Sequence, residues 1–199
     1  MVSSRLKEVF EGFVVSRVRP LASLGVTPNA LTVAGLLVSV GAAACYVYWW
    51  AGPLMLPAAA ALILLSGLID AIDGVLARST DSVTSFGGFL DSVSDRYSDA
   101  IVLSGIVYAG LCDLGWGLAA IVGSLMVSYA RARAEAAGVK MIAVGLAERA
   151  ERMVFLALAT LASYFWTEAL GWGVIALAVL VQFTVLQRAA HFFREVENL

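Results

Sequence analysis

The sequence from Asp70 to Asp95 reads DAIDGVLARSTDSVTSFGGFLDSVSD and places four aspartates where two apolar segments meet. Asp70 and Asp73 are three residues apart, so they share one helix face at the end of the first segment. Asp91 and Asp95 are four apart and share one face at the start of the next. Because the connection is short, we expect the two segments to be antiparallel neighbours and the four carboxylates to converge.

Four carboxylates in one small volume repel one another unless cations neutralise them. Carboxylate oxygens are hard ligands, which favour Mg²⁺, Mn²⁺ or Ca²⁺. We therefore expect the four aspartates to hold two divalent cations, Mg²⁺ or Mn²⁺, the arrangement that clamps both oxygens of a phosphoryl displacement. The alternative is a set of structural salt bridges with Arg78 and Arg96, which would leave an excess of acid in a low-dielectric place.

Small residues continue the acidic face of the first segment. Gly74 and Ala77 lie four and seven residues after Asp70, and neither has a bulky side chain. A ligand could therefore approach the helix backbone closely. Arg78 follows directly and could neutralise a phosphate. The pattern indicates a phosphate-containing ligand beside the carboxylates.

The composition places the chain in a membrane. Hydrophobic residues make up 61% and charged residues 14%, and the mean hydropathy is +0.88, whereas soluble domains have about 25% charged residues. A globule of this size cannot bury so much apolar surface, so a bilayer must cover it. The net charge of -2 gives no electrostatic support to nucleic-acid binding.

The hydropathy pattern predicts an all-α integral membrane protein that forms one domain over residues 1–199. An interfacial amphipathic helix is expected at 4–18, followed by six transmembrane helices at about 30–50, 54–78, 86–112, 115–134, 148–166 and 170–190. All 13 Lys and Arg residues fall at one end of these spans. This bias predicts a multi-pass protein of the cytoplasmic membrane, with both termini and the acidic site facing the cytoplasm.

The acidic segment resembles the signature of the CDP-alcohol phosphotransferases, D-x2-D-G-x2-A-R-x8-G-x3-D-x3-D. The matching positions are Asp70, Asp73, Gly74, Ala77, Arg78, Gly87, Asp91 and Asp95. The resemblance implies a homodimer with a polar cavity that faces the cytoplasm. It also implies that the first three aspartates bind metal and that Asp95 contacts metal or acts as the base. We take Asp91 and Asp95 as the candidate catalytic residues.

The same resemblance implies a CDP-lipid donor, either CDP-diacylglycerol or CDP-archaeol, although a soluble CDP-inositol donor stays open. The segment 26–29, VTPN, is similar to the family's start of the first span, where the nucleotide is held. Its alternative interpretation is a helix start with Asn29 as a polar cap. The residues expected to bind the CDP-lipid are Thr27, Pro28, Asn29, Asp70, Asp73, Gly74, Ala77, Arg78 and Gly87.

Five arginines are predicted near the cytoplasmic ends of the last three spans: Arg131, Arg133, Arg149, Arg152 and Arg188. They could be topogenic or bind lipid headgroups. We favour a site for an acceptor that carries phosphate, because Arg131 and Arg188 lie within otherwise apolar helices. The motifs SYARARAE and AERAER resemble the branch of phosphatidylinositol-phosphate and archaetidylinositol-phosphate synthases. That likeness implies that Arg131, Arg152 and Arg188 grip the phosphate of inositol 1-phosphate.

The expected reaction transfers a diacylglycerol- or archaeol-phosphate group from the CDP-lipid to inositol 1-phosphate and releases CMP. One alternative is a phosphatidylglycerol-phosphate synthase, whose acceptor also carries phosphate, or another family member with a different acceptor. A metal or solute transporter is a distant alternative, because the charges lie at one end of the spans and the sequence has no internal repeat.

Overall fold

The computed structural model describes residues 18, 25–141, 144–146 and 148–196. The interfacial helix expected at 4–18 therefore lies outside the described residues, apart from Val18. The described part is all-helical, as predicted, and contains no strand. Its helices are α1 Pro28–Val47, α2 Met55–Ser79, α3 Ser85–Tyr108, α4 Leu114–Ala136, α5 Arg149–Ala162 and α6 Ala169–Val196, with a short 3₁₀ turn at Trp49–Ala51.

Four of these helices, α1, α2, α4 and α6, are long and apolar enough to cross a membrane. The chain is therefore a multi-pass membrane protein. The other two are less simple, because α3 carries Asp91, Asp95, Arg96 and Asp99 within residues 91–99 and α5 has only 14 residues. The count of six spans stays a prediction. The predicted ends of 112, 166 and 190 differ from the observed helix ends of 108, 162 and 196.

The helices at the acidic end start at defined residues. Thr27 caps α1, where its Oγ1 accepts a hydrogen bond from the Ala30 amide at 3.2 Å, and Pro28 occupies the first turn. The polar cap is thus Thr27, and the alternative role of Asn29 as the cap was wrong. Thr84 caps α3 in the same way, accepting from the Gly87 amide at 3.0 Å.

The six helices form a closed ring. Going round it, α1 packs against α3, α3 against α4, α4 against α6, α6 against α5, α5 against α2, and α2 against α1. Although only the turn 80–84 connects α2 to α3, these two described helices hardly touch each other. The expectation that they are direct neighbours was wrong, because α1 lies against both and holds them apart.

Small residues explain why α1 takes this place. A Cβ added to Gly105 on α3 would lie 3.0 Å from the Cα, Cβ and carbonyl oxygen of Ala43, so the two helix backbones approach closely. On the other side, the Ser39 and Ser66 hydroxyls are 2.8 Å apart, and Ser66 also donates to the Gly35 carbonyl at 3.0 Å. These bonds satisfy polar groups that have no water partner in a bilayer.

The close approach of α1 and α3 gives a stability prediction. Gly105→Ala is expected to lower the free energy of unfolding by about 1–3 kcal/mol, because the backbone atoms of Ala43 cannot yield without separating the helices. Thermal unfolding in one detergent measures this. The control is Gly88→Ala in the same helix, where the new Cβ meets nothing within 4 Å. Because alanine favours the helical conformation more than glycine does, Gly88→Ala should be at least as stable as wild type. Equal melting temperatures for the two variants would contradict the prediction.

Candidate active site

Three of the four predicted metal ligands converge between α2 and α3. Asp70, Asp91 and Asp95 each offer a carboxylate oxygen, and these oxygens all lie within 4.8 Å of one another; we call this trio the acidic group. Asp73 is not part of it. Its buried carboxylate accepts a hydrogen bond of 2.6 Å from the Thr32 hydroxyl on α1. The helix that separates α2 from α3 therefore also fixes one of the signature aspartates.

Arg149, the first residue of α5, contacts the acidic group directly. Its Nη1 lies 2.8 Å from Asp70 Oδ2 and 2.8 Å from Asp95 Oδ1. Asp91 makes no ion pair among the described residues. The sequence grouped Arg149 with the phosphate-binding arginines, and that role stays a prediction. Its position shows that it also acts on the charge of the carboxylates.

The alternative salt bridges with Arg78 and Arg96 do not form in the described part of the chain. Arg78 folds back over Gly74, with Nη1 3.2 Å from the place that a Cβ would take. Arg96 donates to the Ser92 carbonyl of its own helix. The carboxylates therefore keep the net negative charge that this alternative would have removed.

The residues present fit a divalent cation. The acidic group consists of hard oxygen donors from two helices, and the only guanidinium that pairs with it among the described residues is that of Arg149, through Asp70 and Asp95. An excess of negative charge at a partly buried site destabilises the folded protein unless a cation balances it. The acidic group could therefore hold a divalent cation.

A cavity of about 260 Å³, here called the front cavity, lies beside the acidic group between α1, α2 and the start of α3. Every residue predicted to bind the CDP-lipid lines this cavity, except Thr27 and Asp70. Its lining consists of Pro28, Asn29, Thr32, Asp73, Gly74, Ala77, Arg78, Ser82, Val83, Thr84, Gly87, Gly88 and Asp91.

Both the N-terminus of α1 and that of α3 border the front cavity. Helix N-termini carry partial positive charge and unpaired amides, so they favour anions such as phosphate. Gly87 is what lets the two ends meet, because a Cβ there would lie 3.0 Å from Thr84 Oγ1 and 3.2 Å from Asn29 Oδ1. With Arg78 in the same wall, the front cavity is suited to a phosphate-containing ligand.

A second cavity of about 340 Å³ lies on the other side of the acidic group, between α2 and α5. Asp70, Asp95 and Arg149 line its polar end, and apolar residues such as Leu64 and Val154 line the rest. The acidic group therefore separates two cavities: Asp91 borders the front one, and Asp70 and Asp95 border the second. Nothing in the sequence analysis had indicated the second cavity.

The five predicted acceptor-phosphate residues do not meet at one point. Arg131 is exposed and pairs with Glu135 at 2.9 Å. Arg152 is 5% exposed, and its Nη2 donates to Asp99 at 2.6 Å. Arg133 lies exposed on the last turn of α4. Arg149 lies at the acidic group.

Arg188 is the most enclosed of the five, at 3% exposed. Its guanidinium donates to two backbone carbonyls, that of Val144 at 3.0 Å and that of Val127. The charges of Arg131 and Arg152 act on Arg188, together with those of Glu135 and Glu148. These three arginines therefore form a basic group contributed by α4, α5 and α6, with Arg188 also tying the connection before α5 to α6.

The comparison with known proteins decides the family. A family model described as CDP-alcohol phosphatidyltransferase matches residues 25–185. The chain belongs to this family. It is 40% identical over 179 residues to the archaetidylinositol phosphate synthase of Pyrococcus horikoshii, with 90% of each chain covered. The predicted resemblance is confirmed.

Solved structures of a second relative agree with this CDP-alcohol phosphatidyltransferase fold. The phosphatidylinositol phosphate synthase of Mycobacterium tuberculosis with CDP-DAG bound has a TM-score of 0.78 and 31% identity, covering 90% of this chain and 93% of that one. The same enzyme in complex with manganese and citrate has a TM-score of 0.78, covering 90% of this chain and 88% of that one. Manganese is one of the two metals expected for the acidic group.

Sequence reasoning missed two residues of this CDP-alcohol phosphatidyltransferase. Asp99 follows Asp95 by four residues, so the acidic face of α3 continues one turn beyond the signature. That spacing was a visible signal. Thr32 gave a weaker signal, since a hydroxyl in an apolar helix often bonds to its own backbone, as Thr32 also does to the Pro28 carbonyl at 3.2 Å.

Proposed function

We propose that this CDP-alcohol phosphatidyltransferase transfers a diacylglycerol- or archaeol-phosphate group from a CDP-lipid to inositol 1-phosphate and releases CMP. The observation that carries the proposal is the front cavity. It gathers the signature residues and both helix N-termini, and it borders the acidic group. The names of the relatives, which are archaetidylinositol and phosphatidylinositol phosphate synthases, support inositol phosphate as the acceptor.

The donor occupies the front cavity in this proposal. Asn29, Gly74 and Arg78 hold the cytidine and its phosphates, while Gly87 keeps the wall open. Thr27 contributes by fixing the start of α1. The lipid tails remain in the bilayer, where they contact apolar surface only, so the same site accommodates diacylglycerol or archaeol chains.

The reaction is a direct displacement in the proposed mechanism. A hydroxyl oxygen of inositol phosphate bonds to the lipid-side phosphorus, the bond from that phosphorus to CMP breaks, and Asp95 takes the hydroxyl proton. The four signature aspartates would hold two divalent cations, Mg²⁺ or Mn²⁺, whose positive charge would offset the negative charge of the diphosphate and of the departing phosphate. Asp91 borders the front cavity and belongs to the acidic group, which supports a role in holding a cation beside the donor phosphates. No protein nucleophile is needed.

The basic group supports an acceptor that carries phosphate. Arg131, Arg152 and Arg188 come from three helices, and the charges of Arg131 and Arg152 act on Arg188. Neutral or cationic acceptors such as inositol or choline would gain nothing from three guanidinium groups. Arg133 and Arg149 extend the same positive field in this proposal.

The placement in the membrane is also proposed. We infer that all six helices span the membrane. The other helices shield the polar residues of α3 and α5 from lipid. The end that carries the acidic group, and both termini, face the cytoplasm. A homodimer is proposed from the family resemblance.

Acceptor competition tests the proposed function. Pure protein is incubated with CDP-archaeol or CDP-diacylglycerol, Mg²⁺ and an equimolar mixture of inositol 1-phosphate, free inositol, glycerol 3-phosphate and serine. The lipid products are then identified by mass spectrometry, and CMP is quantified. The inositol phosphate product should dominate. A glycerol phosphate product would identify a phosphatidylglycerol-phosphate synthase, and efficient use of free inositol would contradict the role of the basic group.

Arg131 offers a clean test of acceptor binding, because it is exposed and its ion pair is with Glu135 of the same helix. Arg131→Ala should raise the KM for inositol phosphate by about 10-fold, since a hydrogen bond to a charged group contributes about 1.5–3 kcal/mol. The KM for the CDP-lipid should stay close to wild type. Steady-state kinetics measures both.

The control for Arg131→Ala is Lys140→Ala, which removes another exposed cation near the end of α4. If both variants raise the acceptor KM equally, the effect is a general surface charge rather than a phosphate site. An unchanged acceptor KM in Arg131→Ala would remove this residue from the proposed site.

A further inference from the structure

A carboxylate beyond the family signature joins the two charged groups of this molecule. Asp99 lies on α3 one turn past Asp95 and is 14% exposed. Its Oδ2 accepts a hydrogen bond of 2.6 Å from Arg152. Its Oδ1 lies 3.7 Å from Nε of Arg149. Asp99 does not belong to the acidic group, although it shares a helix face with Asp91 and Asp95.

These contacts form a continuous chain of charges. Arg149 bonds to Asp70 and Asp95 through Nη1, and its buried Nε, which makes no hydrogen bond, faces Asp99. Arg152 lies three residues later on the same face of α5. Asp99 therefore touches one arginine that contacts the acidic group and one that belongs to the basic group.

The pair of Asp99 and Arg152 lies at the centre of the helix ring. Both border a small cavity of about 30 Å³ to which all six helices contribute, including the hydroxyls of Ser39, Ser98 and Ser124. Stability alone gives weak grounds for an ion pair there, since well-packed apolar residues often replace a buried ion pair without loss. What the pair does specify is direction, because a guanidinium that donates to a carboxylate of a neighbouring helix is held toward that helix.

We propose that Asp99 is a positioning residue for the acceptor. Its carboxylate holds Arg152 against α3 and thereby fixes the distance between the phosphate-binding group and the reacting phosphorus. The inference rests on the proposed function, in which Arg152 binds the acceptor phosphate. Such a role has a physical reason, because small displacements of a bound reactant reduce the rate strongly.

Asp99→Asn, which keeps the shape but removes the charge, is the principal test. It should raise the KM for the phosphorylated acceptor by about 10-fold or more, as expected for a lost bond to a charged group. The KM for the CDP-lipid should change less than about twofold, since the front cavity is formed by other residues. Asp99→Glu should restore part of the acceptor affinity. Thermal unfolding is measured for each variant.

A double-variant cycle separates positioning from a general effect. If Asp99 acts through Arg152, then Asp99→Asn combined with Arg152→Ala should bind the acceptor no worse than Arg152→Ala alone. Additive losses would overturn the proposal. So would a rise of the same size in the KM for the CDP-lipid, because a general distortion of the site would affect both substrates.

Two further outcomes remain decisive. If Asp99→Asn does not fold, Asp99→Glu takes its place: the displaced carboxylate should give a smaller rise confined to the acceptor KM, and a wild-type value would overturn the proposal. If inositol phosphate is not used at all, the proposed function fails, and the variants are assayed with the acceptor that is used. A KM rise confined to that acceptor keeps the positioning role, and its absence removes it.

Discussion

Asp91→Asn is expected to lose turnover by about 10³-fold or more, while the protein still folds. Asn has nearly the same shape as Asp but offers one neutral oxygen, so the acidic group loses one of its three charges. Charge stabilisation by a bound cation supplies several kcal/mol in phosphoryl displacement, and each 1.36 kcal/mol corresponds to a factor of ten in rate. Release of CMP from the CDP-lipid measures the loss.

Asp91 is the signature aspartate whose substitution changes the fewest other contacts. Asp70 and Asp95 both pair with Arg149 at 2.8 Å, so changing either also strands a guanidinium, whereas Asp91 makes no ion pair in the described structure. Asp81→Asn is the matched control. Asp81 lies exposed in the turn after α2 at φ 51°, a conformation that Asn adopts readily. Turnover within a few-fold of wild type in Asp91→Asn would remove the acidic group from the reaction.

Removal of divalent cations is the second prediction, and its expected effect is a complete loss of turnover. Protein treated with a chelator and then dialysed should release no CMP, and Mg²⁺ or Mn²⁺ should restore the reaction because hard oxygen ligands prefer these ions. Na⁺ at equal ionic strength is the control. Full activity after chelation would contradict the proposed cofactor.

A measurement without substrate tests the same site. A ligand that binds only the folded state stabilises it, by about 2.7 kcal/mol when its concentration is one hundred times Kd. Mn²⁺ should therefore raise the melting temperature of the chelator-treated wild type, and it should raise that of Asp91→Asn less. Equal shifts in the two proteins would place the ion elsewhere.

The sequence predicted part of the acidic group, because Asp70, Asp91 and Asp95 converge as expected whereas Asp73 bonds to Thr32. Spacings of three and four residues place Asp70 and Asp73, and likewise Asp91 and Asp95, on single helix faces whatever the tertiary structure. The same logic, carried one turn further, reaches Asp99. Composition and hydropathy likewise predicted an all-helical membrane fold, because both follow from the solvent around the chain rather than from its packing.

The packing of α2 and α3 was not predictable in this way. Adjacency in sequence suggested that they are neighbours, but Gly105 on α3 and Ser66 on α2 fit the surface of α1 more closely than α2 and α3 fit each other. Contacts between residues far apart in sequence depend on the shapes of three helices at once. The spacing of apolar residues along one helix does not show which other helices it packs against.

Prediction from the sequence reached the same limit for the arginines. The charge bias indicated at which end of the spans they lie, but not their partners. Arg149 bonds to Asp70 and Asp95, and Arg188 bonds to the backbone at Val127 and Val144. Both outcomes depend on the path of the chain between α4 and α5.

The position of α1 between α2 and α3 has an evolutionary consequence. The spacing between Asp70 and Asp95 depends on a helix that contributes neither residue. Gly35 of α1 lies against Ile69 and Ser66, with 3.5 Å between an added Cβ and Ile69 Cγ2. An alanine Cβ fits there at ordinary contact distance, but a longer side chain would press against Ile69, move α2 outward and widen the gap. Preference among ions of different radius can thus drift through changes in α1, while every residue of the signature remains the same.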